Sequence, residues 1–160
     1  MFNIIVIKKI LSWLVFVALF SFVILGFALK GKINNYLSGQ MKNSVTPALK
    51  SSGRAYIDSA FNYTNNMLSY SVTFIEFGSK GCSACTRMEA VMDDFRAKYP
   101  KRVNVVFLNI LKPENQVLMK YYGVVAIPTQ VLLDKEGVEF YRHTGYISTQ
   151  DLYKIISTKM

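Results

Sequence analysis

The strongest constraint on this chain is an uncharged apolar run at residues 10–29. Its sequence is ILSWLVFVALFSFVILGFAL, and basic residues flank it on both sides. An α-helix rises about 1.5 Å per residue, so a helix over this run would extend roughly 30 Å, the thickness of the hydrocarbon core of a bilayer. The run therefore predicts one N-terminal transmembrane helix, preceded by a short basic segment at residues 1–9.

A cleaved signal peptide is the main alternative for residues 10–29. Signal peptides have an apolar region of about 7–15 residues that ends in a site of small residues. The run here is longer, and FALK at residues 27–30 is a poor cleavage site. An uncleaved, single-pass anchor in the lipid of the cytoplasmic membrane is therefore favoured. Basic residues on both flanks leave its orientation open, because the positive-inside rule requires an asymmetry.

The distribution of charge argues against a nucleic-acid partner. The formal net charge is +9, and residues 1–54 hold seven of the 19 basic residues and none of the 10 acidic residues. Residues 55–160 are therefore nearly neutral, with 12 basic residues against 10 acidic ones. Basic residues beside an apolar span are typical of attraction to anionic lipid headgroups. We expect no binding of nucleic acid.

The rest of the chain has room for one domain of ordinary size. Residues 30–54 are rich in Ser, Asn, Gly and Lys and contain Pro47, which predicts a largely irregular tether. Residues 55–160 form the predicted domain, with a first helix over residues 55–70.

The pattern after this helix predicts the order β-α-β-α-β-β-α. The predicted strands cover residues 72–77, 103–110, 129–134 and 138–143, and the predicted helices cover residues 83–99, 114–122 and 149–157. Residues 103–110 are nearly all apolar, which predicts a strand buried on both faces.

Both cysteines of the chain fall in one CxxC sequence, Cys82-Ser83-Ala84-Cys85. This sequence follows a predicted strand and a glycine-containing loop, and it opens a predicted helix. A helix N-terminus has free N–H groups and a partial positive charge, both of which stabilise a thiolate. Cys82 is therefore the expected nucleophile. Cys85 lies three residues further along and can close a short disulfide, so the pair can exchange two electrons.

A CxxC alone also fits half of a metal site. Structural zinc takes four ligands, usually Cys or His, and this chain has two Cys and the single His143. A closed metal site is disfavoured, as is a copper or zinc carrier, because no suitable set of His or Met ligands accompanies the cysteines. No bound cofactor is expected, and the redox group would be the Cys82–Cys85 disulfide itself.

Several motifs resemble, in order, those of the thioredoxin family. The string FIEFGSKGCSACTRMEAVMDDFRAKYP is similar to the family's strand, active-site loop and helix, and VVFLNI, KYYGVVAIPTQVLLDKEG and RHTGY are similar to its remaining landmarks. The resemblance covers about residues 70–157. It is closest to the small thioredoxin-like proteins that bacteria tether outside the cytoplasmic membrane. It implies a thioredoxin-like α/β fold, with a central mixed sheet flanked by helices.

The resemblance implies a division of roles at the redox site. It makes Cys82 the attacking cysteine and Cys85 the resolving one. Glu76 lies six residues before Cys82, where thioredoxins have a buried acid beneath the resolving cysteine, and its implied role is to take the proton of that cysteine. Phe107 occupies the place of the lysine that often accompanies this acid. A buried acid without a cation should have a raised pKa; the alternative is a carboxylate that faces solvent at a strand end.

The resemblance also implies where a substrate binds. It makes Ile127-Pro128 a cis-proline pair that faces the disulfide, whereas the residues alone also allow an ordinary strand-edge proline. Gly145 matches a late glycine that lets the backbone approach a bound partner chain. His143 is interpreted as a surface residue of the hairpin and not as a catalytic one.

The function implied is a thiol–disulfide oxidoreductase that reduces protein disulfides outside the cytoplasm. Its partners would be protein thiols and disulfides, together with an upstream electron donor, either membrane-bound or soluble. The isoleucine before Pro128 resembles reductases more than oxidases or isomerases. A non-catalytic module that binds peptides or senses oxidation is the alternative, and the presence of both cysteines together with Glu76 argues against it.

Two departures from the family concern the surroundings of the cysteines. Gly78 and Gly81 stand where thioredoxins proper have tryptophans, and Ser83-Ala84 replaces the usual Gly-Pro. We therefore expect partners that differ from those of cytosolic thioredoxins.

Overall fold

The structure is a computed structural model that describes residues 4–160, and it divides into two compact units between Tyr36 and Leu37. The first unit belongs to one long helix, α1 (Ile4–Ser44). By length and composition, the part of this helix from Ile7 onward could cross a membrane. Its apolar side chains are exposed on every face, as expected for a helix surrounded by lipid.

Residues 30–54 do not form the largely irregular tether that their composition predicted. α1 continues to Ser44, and a second helix, α2, covers Pro47–Ala60. The hydroxyl of Thr46 caps α2 by accepting a hydrogen bond from the backbone N–H of Leu49. Pro47 occupies the first turn of α2, where its missing N–H would have had no helical partner in any case. The proline therefore begins a helix and does not interrupt one.

The residues just before position 55 belong to the second compact unit. Ser38 is 7% exposed, and its hydroxyl accepts a 2.7 Å hydrogen bond from Arg142 Nη1. Lys42 forms a 3.0 Å ion pair with Glu139. These contacts anchor the end of α1 on the domain, so the domain begins earlier than the predicted boundary at residue 55. The predicted helix over 55–70 is instead the end of α2 and a short helix, α3 (Tyr63–Asn66).

Four strands form one mixed sheet in the order β2-β1-β3-β4. The strands are β1 (Val72–Gly78), β2 (Val103–Asn109), β3 (Thr129–Asp134) and β4 (Glu139–Thr144). β1 pairs in parallel with β2 and antiparallel with β3, and β3 and β4 form an antiparallel hairpin. Each strand end lies within one residue of its prediction.

The prediction that β2 is buried on both faces was wrong. Only two of its seven residues are buried, and Phe107 is 36% exposed. The reason is position, because β2 is an edge strand of the sheet.

Helices cover both faces of the sheet. α4 (Ser83–Lys98) and α6 (Thr149–Ile156) pack on the face that carries Phe74, and α2 and α5 (Gln116–Tyr121) pack on the face that carries Ile75 and Phe77. A short 3₁₀ turn, Pro113–Asn115, precedes α5. Since side chains alternate along a strand, even-numbered residues of β1 face α4.

Candidate active site at the start of α4

The two cysteines lie where β1 gives way to α4. Cys82 is the N-cap residue of α4, and its Sγ accepts a 3.2 Å hydrogen bond from the backbone N–H of Cys85. The two residues form a disulfide, with their Cα atoms 5.2 Å apart. Cys82 is half-buried, whereas Cys85 is 2% exposed. The sulfur predicted to attack is therefore the more accessible one, and it lies at the positive end of a helix dipole.

Gly78, the last residue of β1, passes close to the buried cysteine. A Cβ atom added to Gly78 would lie 2.9 Å from the ring of Phe107 and 3.3 Å from Cys85 Sγ. Such contacts leave no room for a side chain unless its neighbours move. The resemblance to thioredoxins identified Gly78 only as the place of a missing tryptophan, whereas the structure shows that its lack of a side chain lets β1 pass close to the disulfide.

Glu76 is fully buried, at 0% exposure, which excludes the alternative that its carboxylate faces solvent at a strand end. It lies two residues before Gly78, about 7 Å along the strand and on the same face. Burial raises the pKa of Glu76 from about 4.5 to about 7, and a hydrogen bond from Gln130 opposes this rise. The predicted burial and the predicted raised pKa are both confirmed. The part of Glu76 in proton transfer stays a prediction.

The cross-strand neighbours of Glu76 explain why desolvation dominates its pKa. Phe107 lies opposite Glu76 on β2, and Gln130 lies opposite it on β3. Neither neighbour carries a charge. The lysine that the family often has on the β2 side is therefore replaced by an aromatic ring, and the carboxylate gains no ion pair from either strand.

Gln130 was missed by the sequence analysis. It is 0% exposed, and its Nε2 donates a 2.9 Å hydrogen bond to Glu76 Oε2. The available signal was a single amide inside TQVLLD, a segment otherwise apolar enough to be a buried strand. A polar side chain in such a position usually has a specific partner.

The predicted substrate-binding residues meet at the same end of the sheet. The Ile127-Pro128 peptide bond is cis, and Pro128 immediately precedes β3, a central strand, so it is not a strand-edge proline. The Pro128 carbonyl accepts a 2.8 Å hydrogen bond from the Gly145 N–H. Thr129 pairs with the residue before Gly78, which places the proline beside the end of β1. Contact of these residues with a substrate stays a prediction.

His143 is a half-buried residue of β4, and its Nε2 lies 3.2 Å from the Tyr146 carbonyl oxygen. This placement agrees with its interpretation as a hairpin residue. Within residues 4–160, no group of three or more His, Cys, Asp or Glu side chains is arranged to hold a metal ion.

Comparison with known proteins identifies the family. A family model described as a thioredoxin-like domain matches residues 67–159. Thioredoxin 2 of Plasmodium falciparum is 31% identical over 85 residues, which are 53% of this chain and 52% of that protein. The chain thus spans about half the length of this curated relative.

Solved structures give the same fold. A thioredoxin-2 described as a component of malaria parasite protein secretion machinery is 28% identical, with a TM-score of 0.50 over 55% of this chain and 82% of its own. A mutant thioredoxin from Halobacterium salinarum is 24% identical, with a TM-score of 0.51 over 58% of this chain and 78% of its own, and supports the fold alone. Because the family match spans β1 to α6 and contains the CxxC pair, this chain belongs to the thioredoxin-like family.

Proposed function

We propose that this protein is a membrane-anchored thiol–disulfide oxidoreductase that reduces protein disulfides through Cys82 and Cys85. The observation that carries the proposal is the difference in exposure between the two cysteines of the disulfide at the start of α4. One sulfur is accessible at the helix N-terminus and the other is buried, while a buried acid with a raised pKa faces the same helix. This asymmetry fits one cysteine that attacks and one that resolves.

The reaction begins with the reduced pair. The Cys82 thiolate attacks one sulfur of a substrate disulfide, so that a Cys82–substrate disulfide forms and the other substrate sulfur leaves as a thiolate. The Cys85 thiol gives its proton to Glu76 and attacks Cys82 Sγ, which releases the second substrate thiolate and closes the Cys82–Cys85 disulfide. The substrate gains two electrons, and the cysteine pair loses them. A dithiol donor upstream, membrane-bound or soluble, returns them.

Glu76 suits the proposed proton transfer because of its environment. A general base works best when its pKa lies near the working pH, and burial raises the pKa of Glu76 to about 7. The acid and the carboxylate are then both populated near neutral pH. Glu76 can therefore take a proton in one half of the cycle and return it in the other.

The substrate would bind along the end of the sheet beside Pro128 and Gly145. Gly145 has φ +104°, in the region that favours glycine. A Cβ added there would have nothing within 4 Å, so this backbone is open to an approaching chain. An extended substrate segment could pass beside the Ile127-Pro128 bond and bring its disulfide to Cys82. The proposed substrates are protein disulfides.

We place the domain outside the cytoplasm, with residues 10–29 as the lipid-contacting anchor. Stable exchange of protein disulfides is mostly a task of oxidising compartments. The apolar exposure of α1 and the basic residues beside it support an anchor. The reductase direction is supported by the isoleucine that precedes Pro128.

A redox titration of the Cys82–Cys85 couple in the full-length protein tests the proposal. A reductase should have a reduction potential close to that of thioredoxin, about −270 mV, whereas the reduction potential of a strong periplasmic oxidant is about −120 mV. The reduced protein should also reduce a model protein disulfide, and the Cys82→Ser variant should not. A potential near the oxidant value would contradict the reductase direction. A wild-type protein that never reduces the substrate would leave only a peptide-binding or redox-sensing module.

A further inference from the structure

We propose that Gln130 is a positioning residue for Glu76: its side-chain amide holds the Oε2 atom of the carboxyl group and leaves Oε1 as the atom that exchanges the proton with Cys85. This inference rests on the proposed function. It adds a residue that lies outside the CxxC sequence and outside the cis-proline pair.

The pairing of the two side chains is set by the sheet. Glu76 on β1 and Gln130 on β3 lie directly opposite each other in an antiparallel ladder. Directly opposed residues point to the same face, with Cβ atoms about 4.5–5.5 Å apart. Both residues are 0% exposed, and the amide Nε2 lies 2.9 Å from Glu76 Oε2. The register of the strands therefore places the amide against the carboxyl group.

The hydrogen bond to Glu76 accounts for the burial of this amide. In the part of the chain that the structure describes, Gln130 Oε1 has no hydrogen-bond partner, and its Nε2 bonds to Glu76. Burying an amide with half of its capacity unused is unfavourable relative to burying an apolar side chain. Leu132, two residues along the same face, belongs to the hydrophobic core. An apolar residue at position 130 would thus favour stability, so we attribute the amide to its effect on Glu76.

The second oxygen of the carboxyl group is free to take a proton. Among residues 4–160, Glu76 Oε1 is buried without a hydrogen-bond partner. Gly78 lies on the same face of β1, and a Cβ there would be 3.3 Å from Cys85 Sγ. Glu76 and the buried sulfur of Cys85 therefore lie on the same side of the sheet, on the face that α4 covers. With Oε2 engaged by Gln130, Oε1 is the oxygen that remains for the proton.

Among the groups around Glu76, the amide of Gln130 is the one that mainly stabilises the carboxylate form. The face of the sheet that carries Glu76 also carries Phe74 and Gly78 on β1, Phe107 on β2 and Gln130 on β3, and Cys85 and Met88 of α4 pack on that face. β4 adds Tyr141 and His143, which lie across β3 and pair with Leu132 and Gln130. α6 packs on this face through Leu152 and Ile156. The charged side chains of α4 and α6 are exposed or half-buried on the outer faces of these helices. The hydrogen bond that the Gln130 amide donates therefore takes the place of a cation in favouring the ionised form of Glu76.

The test compares Gln130→Met with wild-type protein, using the full chain in detergent micelles. Met has a similar length and lacks the N–H donor, and Gln130→Leu provides a second variant. Stopped-flow kinetics with a model disulfide give the rate of the resolving step from pH 5 to pH 9. Loss of one N–H donor should move the midpoint of this profile to higher pH by about one unit. At pH 6 the resolving rate should then fall roughly tenfold.

Two controls separate positioning from a merely structural role. In the Glu76→Gln background, Gln130→Met should leave the profile unchanged, because the group that titrates is gone. His143→Gln, which alters the residue next to Gln130 on β4, should leave the wild-type midpoint in place. The infrared C=O band of protonated Glu76 should shift in Gln130→Met and vanish in Glu76→Gln. This band reports the hydrogen bond independently of the kinetics.

The failure of this inference can be distinguished from that of the proposed function. If Glu76→Gln abolishes the pH dependence but Gln130→Met leaves both the midpoint and the infrared band in place, Glu76 acts without Gln130 and the inference is wrong. An equal midpoint shift in His143→Gln would also overturn it. If Glu76→Gln leaves the resolving rate unchanged across pH, both the inference and the proton-transfer role of Glu76 are wrong.

Discussion

Replacing Glu76 with Gln should change how the stability of the oxidised domain depends on pH. Burial raises the pKa of Glu76 from about 4.5 to about 7, so the folded state binds a proton that the unfolded state has already released over this range. The sign follows from linkage: a carboxyl group with a raised pKa in the folded state lowers stability as pH rises. The loss begins near pH 4.5, grows to about pH 7, and then levels off.

The magnitude follows from the size of the shift. One pKa unit corresponds to about 1.36 kcal/mol, so a rise of about 2.5 units predicts that the wild-type free energy of unfolding falls by roughly 3 kcal/mol between pH 4 and pH 8 through this group. Glu76→Gln lacks this dependence. The variant changes a buried hydrogen bond as well, but that contribution is nearly constant with pH. The difference between the two proteins should therefore move by roughly 3 kcal/mol in favour of the variant.

Urea unfolding of the full chain in detergent micelles, followed by near-ultraviolet circular dichroism of the tyrosines, measures this difference. For a domain of this size, 3 kcal/mol also corresponds to a melting-temperature difference on the order of 10–20 °C. Glu89→Gln is the matched control, because Glu89 is an exposed glutamate of α4. A wild-type minus Glu76→Gln difference that stays flat from pH 4 to pH 8 would refute the argument that Glu76 is desolvated.

Three further predictions concern the cysteines, the anchor and the strand end. Cys85→Ser should trap a substrate as a mixed disulfide through Cys82, and Cys82→Ser should trap little; equal trapping on non-reducing gels would contradict the division of roles. In a cysteine-free background, Ser51→Cys, an exposed position of α2, should react with an impermeant thiol probe in intact cells, and labelling only after lysis would reverse the topology. Gly78→Ala should destabilise the domain by about 1–3 kcal/mol through contacts with Phe107 and Cys85, and Phe107→Ala should relieve part of this loss in a double-mutant cycle.

The strands of this domain were predictable because local chemistry and tertiary position agree in them. Apart from Glu76, Gln130 and Asp134, residues 72–77 and 129–134 are β-branched, aromatic or otherwise apolar, and Gly78 follows the first segment while Pro128 precedes the second. The cysteine pair was predictable for a similar reason, since the CxxC stands between a strand and a helix, whereas the roles of Glu76, Pro128 and Gly145 were implied only by the resemblance to thioredoxins. The exposure of β2 was not predictable, because an apolar run has the same sequence pattern at the edge of a sheet as at its centre. Phe107 is exposed because β2 is an edge strand.

The prediction of an irregular tether over residues 30–54 failed for a different physical reason. The polar composition of these residues correctly indicates a surface position, but surface helices are stabilised mainly by the few residues that pack. Ser38 and Lys42 are typical tether residues by composition, and their partners Arg142 and Glu139 lie about a hundred positions away. Gln130 was missed for the same reason, because its partner Glu76 is distant in the sequence. Its importance comes from the residue opposite it on the next strand, so a pattern along one strand marks the amide as unusual without showing what it contacts.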